Sequence, residues 1–178
     1  MYLAHKRAPD AKLVGFEYDS SGLKFADKKL KEKEVPVTLK QGTVLNMPYT
    51  SNSFDVVLSA DVIEHLVDYE LAFKEMYRVL KPSGLLLMST PLKQPNKKWD
   101  SLHIHEFSAK ELLELCDRYF QTNVLKACWP RFWVDCWLQG GIKKSFFQII
   151  ACLGYNPALK EGNPFTSNYQ QLIIKSQK

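Results

Sequence analysis

Cysteine is scarce and scattered: the four residues Cys116, Cys128, Cys136 and Cys152 include no CxxC pair. That spacing excludes a zinc ribbon or a small disulfide scaffold and leaves reduced thiols in a cytoplasmic protein as the expectation. Long apolar runs are lacking as well. The longest uncharged stretch, SFFQIIACLGYNPAL, is broken by Gly154 and Pro157 and falls short of the ~18 apolar residues of a membrane span. The N-terminal stretch MYLAHKRAPDAK carries charge where a secretory signal would carry an apolar core. These absences together predict a soluble protein. Nor is charge of one sign concentrated anywhere: 24 Lys and Arg against 19 Asp and Glu give +5, dispersed in mixed-sign runs such as KKLKEKE that read as solvated helix faces. A nucleic-acid partner, which needs a one-sided basic patch, is therefore not expected.

What is present suffices for a core. A length of 178 residues with 46% hydrophobic side chains predicts one domain over residues 1–178. Lys12–Tyr18 reads as a buried strand. Asp19 or Ser20 then caps a helix running to about Lys33, with Leu23, Phe25, Ala26 and Leu30 on its apolar face. VPVTLKQGTV is a second strand, ended by Gly42. FDVVLSA is a third, whose consecutive apolar residues suit a strand covered on both faces. From Asp61 the spacing of Val62, Ile63, Leu66, Leu71, Ala72, Met76, Val79 and Leu80 predicts a helix that stops at KPSG. LLLMST is a fourth strand, Ser108 and Glu111 form a capping box that opens another helix, and TNVLKACW and NYQQLIIKS are closing strands. Strands alternating with helices imply an α/β protein with a doubly wound, mostly parallel sheet. Ligands bind at the carboxyl ends of such strands, and there FDVVLSA runs directly into DVIEHL.

Four stretches in this order, VGFEYDSSGLKFA, QGTVLNMPYTSNSFDVVLSADVIEHL, AFKEMYRVLKPSGLLLMSTP and HIHEFSAKEL, resemble the class I S-adenosylmethionine-dependent methyltransferases. The resemblance is to the broad small-molecule group that includes ubiquinone-biosynthesis and glycan-modifying enzymes, and it covers Leu3 to Phe120. It implies a Rossmann-like fold with an antiparallel closing strand, S-adenosylmethionine as cofactor, and methyl transfer to a small-molecule or glycan acceptor. By the same resemblance Glu17 accepts hydrogen bonds from the ribose hydroxyls, and Tyr18 lies near the adenine. Thr43 stands where the family has an acid for the adenine amino group, a hydroxyl without charge assistance. Val44 offers its backbone N–H to the ring, and Leu45 or Met47 packs on its face. Ser59 and Ala60 line the methionine end, and Asp61 forms the pocket wall.

Two histidines are candidate catalytic residues. His65 and His103, with an ordinary pKa near ~6.5, suit a general base for an acceptor hydroxyl. Glu64 and His65 face either the acceptor or the helix packing. His103 and His105 share one side of an extended segment, but with only Glu106 beside them no metal is expected. Residues 129–164 read as an insertion or lid over the acceptor site, with Trp133 and Trp137 in CWPRFWVDCW placed for ring stacking or for packing on the sheet. Basic residues flank the apolar IKKSFFQIIACLG, yet membrane contact is not the expectation.

One element of the family is lacking. A Gly-rich turn after a first strand should precede the second strand by some ~20 residues, whereas eleven residues precede Lys12 and resemble the end of a first helix. The expectation is an N-terminally incomplete domain, a fragment of a longer enzyme. The alternatives are a degenerate paralogue that binds a partner without catalysis and a sheet completed by another chain in an oligomer. The missing strand would leave two unpaired strand edges.

Overall fold

Asp19 shows how directly the sequence sets the first elements. Its carboxylate accepts the backbone N–H of Gly22 at 2.6 Å and caps α2, Ser20–Lys31. The cap separates that helix from β1, Leu13–Glu17, and follows a short α1, Tyr2–Arg7. β2, Val37–Gln41, pairs parallel with β1 from Leu13↔Val37 to Glu17↔Gln41, so the two carboxyl ends lie side by side. Gly42 follows because a side chain there would meet the ring of Phe16 at 2.5 Å.

The computed structural model describes residues 1–95, 100–138, 141, 145, 148, 150, 156, 159–166 and 168–178, without the side chains of Trp133, Cys136 and Trp137. It divides into two units, Met1–Thr50, which holds the elements above, and Ser51–Lys178.

The second unit is built on a four-stranded sheet. Its elements are β3 (Phe54–Ala60), α3 (Tyr69–Val79), β4 (Leu80–Pro91), α4 (Ala109–Asp117), β5 (Thr122–Pro130), α5 (Arg131–Leu138) and β6 (Tyr169–Gln177). The strand order is β3-β4-β6-β5. β3 and β4 are parallel, and β6 runs antiparallel to both β4 and β5, so it is the antiparallel closing strand in a mixed α/β fold. Phe73, Met76 and Val79 of α3, Leu86 of β4, Leu112 and Leu115 of α4, and Leu172 and Ile174 of β6 are essentially inaccessible and form its core. Phe73 meets the ring of Phe120 edge-on at 6.4 Å. Among the described residues no helix is long and apolar enough to cross a membrane.

Three expectations are corrected. β3 is not covered on both faces: Val56 and Leu58 are 49% and 68% exposed, while Ser59 on the opposite face is buried. The helix expected from Asp61 begins instead at Tyr69, behind a short 3-10 turn at Ile63–His65. Asp68 sets the new start by accepting the N–H of Leu71 at 3.0 Å. At its other end the helix stops at Val79, and KPSG is absorbed into β4, where the register jumps from Phe54↔Leu80 to Val56↔Leu85. Ser83 takes a φ of 64° in that irregularity. In the 129–164 segment α5 accounts for Arg131–Leu138. The side chains of Trp133 and Trp137, and most of IKKSFFQIIACLG, lie outside the described residues.

The capping box is present in full: Ser108 Oγ accepts from Glu111 N at 3.2 Å and Glu111 Oε2 from Ser108 N at 2.7 Å. Ser108→Ala is expected to lower stability by about 1 kcal/mol, read as a lower urea midpoint; an unchanged midpoint would show that the cap contributes nothing.

Candidate functional site

In the second unit the site begins where β3 ends. Ser59 is buried, and its hydroxyl has no hydrogen-bond partner among the described residues. Ala60 follows, exposed, and Asp61 then turns the chain with a φ of 52°, a conformation Asp tolerates better than most residues. Asp61 is tied down on two sides. Its N–H donates to the Ser89 carbonyl at 3.1 Å, and Oδ1 accepts from Ser89 Oγ and from Gln171 Nε2. The end of β3 is thereby fixed to β4 and β6.

Glu64 organises what comes next. Its backbone carbonyl accepts the N–H groups of Ile104 at 2.7 Å and His105 at 3.1 Å. A carbonyl engaged in this way does not serve an α-helix, which is why the chain makes only a 3-10 turn here. The side chain is fully buried; Oε2 accepts from Thr90 Oγ1 at 3.0 Å, and Oε1 has no hydrogen-bond partner among the described residues. Burial pushes the Glu64 carboxyl above its ordinary value, and the nearby Asp61 charge adds to the effect, against the hydrogen bonds and His65, which pull the other way.

The same two segments bring the candidate catalytic residues together. The rings of His65 and His103 lie 5.0 Å apart, edge to face. His65 is exposed, and its Nδ1 lies 3.3 Å from the carbonyl oxygen of Leu102. His103 is buried, with Nδ1 2.8 Å from Glu106 Oε1. A carbonyl or carboxylate only accepts, so each Nδ1 donates and Nε2 is the basic nitrogen of each ring. His105 does not join them. It stacks on Tyr69 at 5.1 Å and meets Phe107 at 4.4 Å, because the loop turns where an extended segment would have kept His103 and His105 on one side. Beside it opens a cleft of about 390 Å³ between Tyr69, Glu111, Glu114 and Arg118, which none of the sequence-predicted site residues lines.

In the first unit Glu17, Tyr18, Thr43, Val44 and Leu45 gather at the carboxyl ends of β1 and β2. Glu17 is exposed, with Oε1 accepting the N–H of Asp19 at 3.0 Å. The Tyr18 side chain is exposed, and its carbonyl accepts from Gln41 Nε2 at 3.0 Å. Thr43 Oγ1 accepts the Leu45 N–H at 3.2 Å, a local turn that uses one lone pair and leaves the other, with the O–H, for a ligand. Val44 and Leu45 are half-buried. Sequence reasoning missed Glu106 and Thr90, although the spacing of His103 and Glu106 was a usable signal.

Residues 1–88 match the family described as methyltransferase domain. The demethylmenaquinone methyltransferase of Lactobacillus johnsonii is 36% identical over 84 residues, which are 46% of this chain and 34% of that protein. These matches identify residues 1–88 as part of a methyltransferase domain. The match spans about a third of that relative's length. The chain also shares its fold with phosphoethanolamine N-methyltransferase 2 of Haemonchus contortus, solved with S-adenosylhomocysteine, at 20% identity and a TM-score of 0.66 over 98% of this chain and 46% of that one. The cyclase SpnF aligns as well, at 19% identity and a TM-score of 0.66 over 98% of this chain and 69% of the other. At these identities the likeness is one of fold, and the fold serves more than one reaction.

Because burial raises the Glu64 carboxyl above its ordinary 4.5, the folded state keeps a proton that the unfolded state releases. The stability this lends is complete below the unfolded value and lost as pH rises through the folded one. Glu64→Gln, neutral throughout, is therefore expected to gain stability relative to the native chain as pH rises from 4.5 toward neutrality. Thermal unfolding of both proteins across that range checks it; a constant gap between them would refute the account.

Proposed function

We propose that this chain carries out S-adenosylmethionine-dependent methyl transfer to a small-molecule acceptor, with His65 and His103 on the acceptor side. The observation that carries the reading is the paired imidazoles just beyond the end of β3, each with Nδ1 engaged and Nε2 basic. The names of the relatives favour a small molecule over a glycan, since demethylmenaquinone is what the Lactobacillus johnsonii enzyme is named for.

The residues present fit the cofactor. The Ser59 hydroxyl is buried and lacks a partner, a condition that a polar ligand group relieves. Glu17 presents a carboxylate at the end of a parallel strand, where ribose hydroxyls are taken in such sheets. In the first unit Glu17 holds the ribose, Thr43 and the Val44 N–H take the adenine edge, and Tyr18 and Leu45 supply its apolar contacts. In the second unit Ser59, Ala60 and Asp61 take the methionine portion.

When bound, S-adenosylmethionine supplies a methyl group already activated on a sulfonium. What is left to the protein is alignment and proton removal. Nε2 of His65 or His103 accepts the proton of an acceptor hydroxyl, while the Leu102 carbonyl and the Glu106 carboxylate hold the rings and favour the imidazolium that forms.

Titration calorimetry with S-adenosylmethionine and S-adenosylhomocysteine should show binding that Glu17→Ala weakens at least about tenfold, the loss of a charge-assisted hydrogen bond. A folded chain that binds neither compound would overturn the reading. With radiolabelled S-adenosylmethionine and demethylmenaquinone-type acceptors, His103→Ala should lower kcat by roughly 10²–10⁴-fold and leave cofactor affinity unchanged. Equal loss of both would make His103 a structural residue.

A further inference from the structure

We infer that Glu64, His65 and His103 form a binding site for one divalent transition-metal ion. Among the described residues these three offer one ligand atom each, all within 4.8 Å of one another. A carboxylate oxygen with two imidazole nitrogens suits zinc, cobalt, iron or manganese rather than calcium or magnesium, which take oxygen cages.

Each donor is prepared for the task by its surroundings. Glu64 is fully buried with Oε2 held by Thr90, yet among the described residues Oε1 has no hydrogen-bond partner. A buried carboxylate oxygen in that state is costly, and a cation is the group that relieves it. Nδ1 of His65 faces the Leu102 carbonyl and Nδ1 of His103 faces Glu106, so Nε2 is the nitrogen each ring would turn to an ion. For His103 the engaging group is the buried carboxylate of Glu106, the carboxylate–histidine arrangement that fixes the orientation of metal-ligating rings. The two hydrogen bonds to the Glu64 carbonyl lock its own segment to the one carrying His103, so the three donors are held near one another.

Ligands at ~2.1 Å from a tetrahedral ion lie ~3.4 Å apart, so the donors must draw together to hold one. His65 is the ring that moves: it is exposed, and its contact with Leu102 is long at 3.3 Å. Its exposure also gives the ion a way in. Three protein ligands leave coordination positions open, as in catalytic rather than structural sites. An ion there would polarise an acceptor oxygen and lower the pKa of its hydroxyl, a route to the nucleophile that replaces proton abstraction by a free imidazole. This goes beyond the methyl-transfer reading and does not need it.

The full 178-residue chain, stripped with chelator, is titrated with zinc by calorimetry and with cobalt by visible spectroscopy. Expected are one equivalent bound and a cobalt spectrum without thiolate charge-transfer bands. Expected too are a loss of affinity of at least about tenfold in His65→Ala and in His103→Ala, a loss of about 10–100-fold in Glu106→Gln as for other outer partners of metal ligands, and unchanged binding in His105→Ala. His65 is exposed, so His65→Ala keeps the test open should the His103 variant fail to fold, as judged by circular dichroism. No stoichiometric binding by a folded chain, thiolate bands, or an affinity indifferent to His65→Ala would each overturn the site. Because the readout is the metal alone, any of these leaves methyl transfer untouched.

Discussion

The backbone carbonyl of Glu64 is the constraint on which the candidate site of the second unit rests. By accepting from Ile104 and His105 it draws the loop before α4 against the turn after β3. Three features follow from that one junction: the interruption of the apolar helical pattern at residues 61–68, the meeting of His65 with His103, and the burial of the Glu64 side chain against Thr90. Two hydrogen bonds to a single carbonyl are worth only about 1 kcal/mol each. Their importance here is geometric, because they fix segments almost forty residues apart and hold the two imidazoles in contact.

The strand ends on either side of the division at Thr50 differ in how far their polar groups are satisfied. In the first unit they are largely served by the chain itself, Thr43 Oγ1 by Leu45, Glu17 Oε1 by Asp19, and the Glu17 carbonyl by Gly42. In the second unit the Ser59 hydroxyl and Glu64 Oε1 are buried without partners among the described residues, in a setting where such groups are normally paired. The first pattern is that of a rigid platform which presents leftover lone pairs to a ligand. The second is that of a site whose own hydrogen bonding is incomplete until something enters it.

Much of this was legible in the sequence because it depends on short-range chemistry. Asp19 and Ser108 announce helix starts through side chains that reach three residues ahead, and both do so in the structure. The strands, their order along the chain and the closing role of NYQQLIIKS follow from apolar runs bounded by turn residues. The helix expected from Asp61 was misread because the spacing of Val62, Ile63 and Leu66 satisfies a helical period while Glu64, between them, gives its carbonyl to a distant loop. No local signal reports a partner at Ile104. The exposure of Val56 and Leu58 was illegible for a related reason: an apolar run states what a strand can bury, not what is available to cover it.

The histidines illustrate where residue pattern stops and tertiary placement begins. In the sequence His103 and His105 look like the pair, two residues apart, and His65 stands alone. In the structure the turn at residues 100–106 sends His105 onto Tyr69 and Phe107, an aromatic setting that packs an imidazole, and turns His103 toward Glu106 and His65. Which two histidines come together is therefore decided by which ring finds a carboxylate and which finds an aromatic face. The carboxylate partner makes the difference chemical as well as spatial: an imidazole whose Nδ1–H donates to Glu106 is fixed in tautomer and orientation, whereas His105 is held by its ring faces. The arrangement at the end of β3 thus depends less on having three histidines nearby than on the Glu64 carbonyl having bent the loop so that His103, not His105, is held by an acid.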